Sequence, residues 1–179
     1  MTPSGAQNEG FEELALPLFQ PLHNFARWLT HDAHEAEDLV QETFLRALKG
    51  FHSFQPGTNF RAWMFRILRN TFLTSRSGQK AAQHVSVDEE GEEVLLPPAK
   101  ETPETILMQH GTHERLQLAL EQLPLSYREV ILLCDVEEMK YQEIAELLEI
   151  PVGTVMSRIA RARKQLRGML AEERLRAWL

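Results

Sequence analysis

Apolar residues recur at intervals of three and four through most of this chain, and no alternating apolar and polar run persists, so the pattern predicts helices throughout and no sheet. A first helix is predicted over about Phe11 to Leu29, with Leu14, Leu18, Leu22, Phe25 and Leu29 inward and Pro17 and Pro21 kinking its start. Asp32 followed by Glu35 resembles a capping box, and it opens a second helix whose Ala36, Leu39, Val40, Phe44, Ala47, Leu48 and Phe51 share a face. Gly50 and Pro56-Gly57 close that helix off. Thr58 or Asn59 can cap a third, in which Phe60, Trp63, Met64, Ile67, Leu68 and Phe72 recur as far as about Ser75.

Beyond that point the periodicity fades, and Asp, Glu, Pro, Gly and Ser take over in the manner of a flexible tether. Periodicity returns at Pro103, which suits a helix start, with Ile106, Leu107, His110, Leu116, Ala119, Leu120 and Leu123 carrying the helix to Pro124. Ser126 with Glu129 is expected to cap the next helix, which runs to about Val136. Two short helices broken at Glu149-Ile150-Pro151 follow. Ile144, Ala145, Leu147 and Leu148 give the first an apolar face, and Val152, Val155, Ile159 and Leu166 give the second a stripe at helical spacing. This is a helix-turn-helix in outline. The expected fold is therefore all-α: two small helical domains, residues 8–80 and 104–176, joined by a flexible acidic linker at 81–103, the C-terminal domain containing the helix-turn-helix. A length of 179 residues suits one or two small domains, and a hydrophobic fraction of 43% is enough to bury their cores.

Charge turns the helix-turn-helix into a candidate for DNA. The chain as a whole is acidic, at formal charge −7 with 19 basic against 26 acidic residues, but the charge is sorted. From Met1 to Glu42 the one Lys or Arg is Arg27. From Thr43 to Val87 there is no acid, while Arg46, Lys49, Arg61, Arg66, Arg69, Arg76 and Lys80 make a basic block. Asp88 to Glu104 is acidic again, with Lys100 its single cation. The second helix of the helix-turn-helix leaves Thr154, Ser157, Arg158, Arg161, Arg163, Lys164 and Arg167 outside its apolar stripe, groups suited to base edges and phosphates. A solvated amphipathic helix is the alternative, and the single sign of the charge argues against it. The basic block is a second candidate nucleic-acid surface.

Other chemistry is sparse. No apolar run approaches a membrane span, and the N-terminus lacks a basic segment followed by an apolar one, so a cytoplasmic protein is expected. The single cysteine, Cys134, excludes an internal disulfide and sits among Ile131, Leu132 and Leu133 as a buried helical thiol; a redox role is the alternative. His31, Asp32, His34, Glu35, Glu37 and Asp38 crowd metal-ligand types together, which would suit a hydrolytic metal site. A helix cap with acids in its first turn explains the same residues through the helix dipole. Without a nucleophile, a glycine-rich phosphate loop or a second ligand set, neither enzyme activity nor a metal or cofactor is expected, nor a small-molecule substrate.

These residues resemble a known family. Glu37-Asp-Leu-Val-Gln-Glu-Thr-Phe-Leu-Arg-Ala-Leu48 is similar to the region 2 signature of the bacterial RNA polymerase sigma factors of the extracytoplasmic-function (ECF) group. Leu123-Pro-Leu-Ser-Tyr-Arg-Glu-Val-Ile-Leu-Leu133 and Ile150-Pro-Val-Gly-Thr-Val-Met-Ser-Arg-Ile-Ala-Arg-Ala-Arg163 resemble region 4. Both motifs in this order across a short acidic tether are more specific than either alone, and the likeness spans about Phe11 to Leu170.

The resemblance implies partners and roles: core RNA polymerase, promoter DNA, and an anti-sigma factor that holds the protein inactive. It implies that Asp38, Leu39, Gln41, Glu42 and Phe44 dock on the polymerase clamp helices. It implies that Asn59, Phe60, Arg61, Trp63, Arg66, Arg69 and Asn70 open the promoter, with Asn59 and Phe60 beside a flipped base and the cations on the strand. In region 4 it implies that Val152, Gly153, Thr154, Met156, Ser157, Arg158, Ala160, Arg161 and Lys164 meet the upstream promoter element in the major groove, the start of that helix offering N–H groups and a hydroxyl to a phosphate. Relatives commonly carry Lys or Arg where this chain has Met156 and an aromatic or His where it has Ala160. Lys140 stands where Ser or Thr often caps the first helix of the pair, which should weaken that helix start by roughly 1 kcal/mol. A conventional DNA-binding regulator acting without polymerase remains open on the C-terminal half alone, and dimerisation on a palindromic site would favour it.

Overall fold

Pro17 splits the predicted first helix. In the computed structural model, which describes residues 10–80 and 113–176, residues 10–15 form α1, Leu16–Leu18 tighten into a 3-10 turn, and α2 runs Phe19–Thr30. Pro21 falls in the first turn of α2, where its missing N–H removes no helical bond. The buried Thr30 then organises the next junction. Its hydroxyl donates to the Ala26 carbonyl at 3.0 Å and accepts from the Asp32 N–H at 3.3 Å. Asp32 caps α3 (Ala33–Gly50) as expected, its Oδ1 accepting from the Glu35 N–H at 2.9 Å. That bond holds the Asp32 carboxyl below its usual range.

After α3, Phe51–Ser53 forms a 3-10 turn and a loop leads to α4, Phe60–Lys80. Asn59 caps it, Oδ1 accepting from the Ala62 N–H at 3.0 Å. The helix continues past the predicted end near Ser75 because its polar residues are satisfied locally. The hydroxyls of Thr74, Ser75 and Ser77 donate to the carbonyls of Asn70, Phe72 and Thr74 at 2.8, 2.8 and 3.0 Å.

The core of this unit joins Leu22, Phe25, Ala26 and Leu29 of α2 to Ala36, Val40 and Ala47 of α3 and Met64, Phe65, Leu68 and Phe72 of α4. Two expected core positions are corrected: Leu14 is 46% exposed and Leu48 38% exposed, with Phe11 and Ala15 buried in the N-terminal segment instead. The break at Pro17 rotates α1 away from the register that a continuous helix would give.

The second unit contains α5 (His113–Gln122), α6 (Leu125–Ile131) continued by a π-helical turn at Leu132–Val136, α7 (Tyr141–Leu148) and α8 (Val152–Arg176). Ser126 is not the cap of α6. The Pro124 carbonyl accepts from the N–H groups of Tyr127 and Arg128 at 3.0 Å each, which places Ser126 inside the first turn and leaves Glu129 buried. The turn between α5 and α6 is instead clamped by Arg128. Its buried guanidinium donates to the carbonyls of Leu120, Glu121 and Leu123 at 2.9, 2.7 and 2.9 Å, satisfying the carbonyl end of α5.

Among the described residues there is no strand, which agrees with the all-α expectation. The chain divides into the units Met1–Glu89 and Glu90–Leu179. The expected tether at 81–103, and the helix start at Pro103 with Ile106, Leu107 and His110, lie outside the described residues.

Candidate nucleic-acid interface

Glu149 ends α7 by taking a left-handed conformation (φ 58°), and its N–H returns to the Ala145 carbonyl. Pro151 then starts α8, its carbonyl accepting from Thr154 and Val155 at 2.9 and 3.2 Å. The Thr154 N–H is thus engaged, which takes one donor from the set expected to meet a phosphate. Val155, Ile159, Ala162, Leu166 and Leu170 bury one stripe of α8. A rotation of 100° per residue puts Gly153, Ser157, Ala160, Arg161 and Lys164 on the opposite side, with Met156 on one edge and Thr154 and Arg158 on the other. The nine residues assigned to the upstream element therefore include this whole outward face. Lys164 and Met156 are exposed, and Arg158 and Arg161 half-buried. Ser157 Oγ donates to the Thr154 carbonyl at 3.0 Å, so outward it offers lone pairs.

Arg163 departs from expectation. Its guanidinium pairs with Asp135 in the π-helical turn, Nη2 to Oδ1 at 2.5 Å and Nε to Oδ2 at 3.2 Å, with 13% and 3% of the two side chains exposed. Burial works against the charge, but the hydrogen bond and charge of Asp135 overcome it and hold the guanidinium above its usual pKa. Arg163 is a structural cation. Lys140 N–H donates to a Glu143 carboxylate oxygen at 2.8 Å, so half of a capping box survives the loss of a Ser or Thr at that position.

In the first unit the basic block and the aromatics lie together on and before α4. Phe60 sits among rings, with centroids 5.1 Å from Phe54, 5.5 Å from Trp63, 6.1 Å from Phe51 and 6.2 Å from Phe11. Its half-buried ring packs the loop onto the helix, and Asn59 is occupied at least in part as a cap. Trp63, Arg66 and Asn70 fall on the side of α4 opposite Met64, Leu68 and Phe72, with Arg69 on a flank. Arg61 lies over the Phe65 ring at 5.6 Å, and Arg76 over Phe72 at 5.0 Å. Each unit thus carries one helix with a basic, polar outward side.

Residues 17–82 match the family model for sigma-70 region 2, and residues 113–166 match that for sigma-70 region 4. The chain is 38% identical over 149 residues to the ECF RNA polymerase sigma factor EcfG of Rhodopseudomonas palustris, covering 83% of this chain and 78% of the relative. It is 36% identical over 171 residues to the ECF RNA polymerase sigma factor SigE of Mycolicibacterium smegmatis, covering 96% of this chain and 65% of that longer relative. The chain belongs to the ECF RNA polymerase sigma factors. The solved structure of the sigma factor RpoE in complex with the anti-sigma factor NepR from Bartonella quintana superposes with a TM-score of 0.72 at 29% identity, covering 91% of this chain and 98% of that one. CnrH in complex with the cytosolic domain of CnrY gives 0.68 at 27% identity, covering 94% and 92%.

In this ECF sigma factor, α3 is the central helix of region 2. Of the residues assigned there to polymerase, Asp38 and Gln41 are exposed, Glu42 pairs with Arg46 at 2.6 Å, and Phe44 is half-buried against Phe11 and Phe19. Leu39 is 7% exposed, as its place on the apolar face of α3 implies, and it lies at the base of a groove between α3 and α4. Leu45 (52%), Leu16 (65%) and Phe19 (50%) are exposed apolar residues that lie off the predicted inward stripes, and sequence periodicity gives them no role. Asp38 and Glu42 also line this groove, of about 340 Å³ between α3 and the C-terminal half of α4, shared with Arg46, Thr71, Thr74 and Arg76. Among the described residues no three His, Cys, Asp or Glu side chains converge as a metal-holding group, His31 to Asp38 included.

Proposed function

We propose that this sigma factor binds core RNA polymerase through region 2, recognises an upstream promoter element with α8, and opens the duplex with α4 and the loop before it. The outward side of α8 carries the reading: Ser157, Arg161 and Lys164 in line, edged by Thr154 and Arg158, with no acidic residue between Val152 and Leu170. In region 2, Trp63, Arg66 and Asn70 of α4 supply a stacking surface and donors to a displaced strand, while Asn59 and Phe60 hold the preceding loop beside a flipped base.

The polymerase-facing set is Asp38, Leu39, Gln41, Glu42 and Phe44. The domains span 8–80 and 104–176, and the acidic tether at 81–103 joins them. Fixing both on polymerase lets two weak DNA affinities act together. The protein is an initiation factor without catalysis of its own. It acts in the cytoplasm, and among the described residues no helix is long and apolar enough to cross a membrane. An anti-sigma factor holds it inactive, in keeping with the solved relative RpoE, which is bound to the anti-sigma factor NepR.

Permanganate footprinting of the holoenzyme on a selected promoter tests the division of labour. Reactive thymines near the start site are expected with the parent protein. Arg66→Ala with Asn70→Ala should reduce them while leaving upstream protection intact. Loss of both signals together would refute separate roles for the two units.

A further inference from the structure

Met156 is the one large apolar side chain of α8 that lies open to solvent among the described residues, at 53% exposure, and it stands one turn from the start of the helix. Its neighbours at i−3 and i+4 are Gly153 and Ala160, so all three fall on the same edge of the outward face and form a short apolar strip. A Cβ built at Gly153 would have no atom within 4 Å, which leaves the flank of Met156 open on that side. The opposite edge carries Thr154, Arg158 and Arg161. Over about its first two and a half turns, before Arg163 and Arg167 come round to the Met156 edge, the outward face of the helix is thus asymmetric: cationic and hydrogen-bonding on one edge, apolar and low on the other.

A major groove presents the same asymmetry. Its walls are phosphates, and its floor offers one apolar group, the 5-methyl of thymine. We infer that Met156, supported by Ala160, reads a thymine methyl in the upstream promoter element, which makes it a specificity-determining residue. The flexible thioether side chain can settle against a methyl without demanding a hydrogen-bond geometry. The cationic edge meets phosphate at the same time, and no base on that edge needs to be read for the strip to register. The assignment rests on the promoter-binding reading above.

The test uses the full-length protein on core polymerase. An upstream element is first selected from a randomised duplex library, and each thymine in it is then replaced by deoxyuridine, which removes the methyl alone. At one position the replacement should weaken binding about fourfold, the effect of burying one methyl-sized group. Met156→Ala should bind thymine and deoxyuridine there equally. Met156→Lys should move the selected base toward guanine, whose N7 and O6 accept from a cation. Both variants should melt at the parental temperature, because the site is exposed. Indifference of the parent to deoxyuridine at every position, or unchanged discrimination in Met156→Ala, would overturn the assignment while leaving promoter binding in place. If no upstream element is enriched at all, promoter recognition by α8 fails and the assignment fails with it.

Discussion

Arg163 of the DNA-facing helix and Asp135 of the π-helical turn, 28 residues apart in the chain, form a two-pronged ion pair that is largely withdrawn from solvent. The pair fixes the roll of α8 against the rest of region 4. It also removes one cation from the row that sequence alone assigns to DNA.

Removing Asp135 leaves a largely buried guanidinium without its carboxylate. Asp135→Ala should lower the stability of region 4 by about 1.5–3 kcal/mol, read as a shift in the urea midpoint. Arg163→Leu combined with it should cost less than the sum of the two. The same pairing sets the salt dependence of promoter binding. Lys164→Ala should reduce the slope of log K against log salt by about one, whereas Arg163→Leu should leave the slope unchanged.

Arg128 serves three carbonyls at the end of α5, and no other residue type presents a planar fork of that reach. Arg128→Met should destabilise the unit by at least about 3 kcal/mol. Arg128→Lys should recover less than half of that loss in thermal or urea unfolding, because an ammonium cannot match the fork. Full rescue by Lys would mean that charge, rather than geometry, holds the turn.

Asn59 has two possible duties, capping α4 and meeting DNA, which substitution can separate. Asn59→Ala should cost about 1 kcal/mol of stability, and Asn59→Asp should keep the cap while losing the amide donor. Promoter opening, measured by permanganate reactivity, should fall in both variants if the amide meets DNA. Opening retained by Asn59→Asp and lost by Asn59→Ala would confine Asn59 to the cap.

Cys134 is half-buried, and its thiol is pushed up from 9.0 to about 12, first by burial and then by the charge and hydrogen bond of Asp135. The thiolate is the reactive form, so alkylation at pH 8 should be at least roughly a hundredfold slower in the native protein than in denaturant. The folded thiol keeps its proton longer than the unfolded one. Its contribution to stability is therefore complete below pH 9 and is lost as pH rises toward 12. Rapid native alkylation would revive the redox role that the sequence left open.

Legibility in the sequence followed the reach of each interaction. The caps at Asp32 and Asn59 were readable because the capping oxygen and its N–H donor lie three residues apart, and the break at Glu149 to Pro151 because its signal is local. The register of α1 was not: one proline turned Leu14 outward and Phe11 inward, and no periodicity marks that rotation. At the candidate interface, the outward face of α8 was legible from its spacing. The withdrawal of Arg163 was not, since its partner comes from another element. Leu39 and Leu45 both follow the helical spacing: Leu39 falls on the inward stripe of α3 and is buried, while Leu45 lies opposite that stripe and is exposed.

The most direct test of the sigma account is transcription by purified, sigma-free core polymerase on a fragment library from the source genome, with and without this protein, mapping RNA 5′ ends. Discrete new start sites that share two spaced upstream motifs are expected. Duplex binding by a dimer on a palindrome, with no new starts, would contradict it and favour a regulator that works without polymerase.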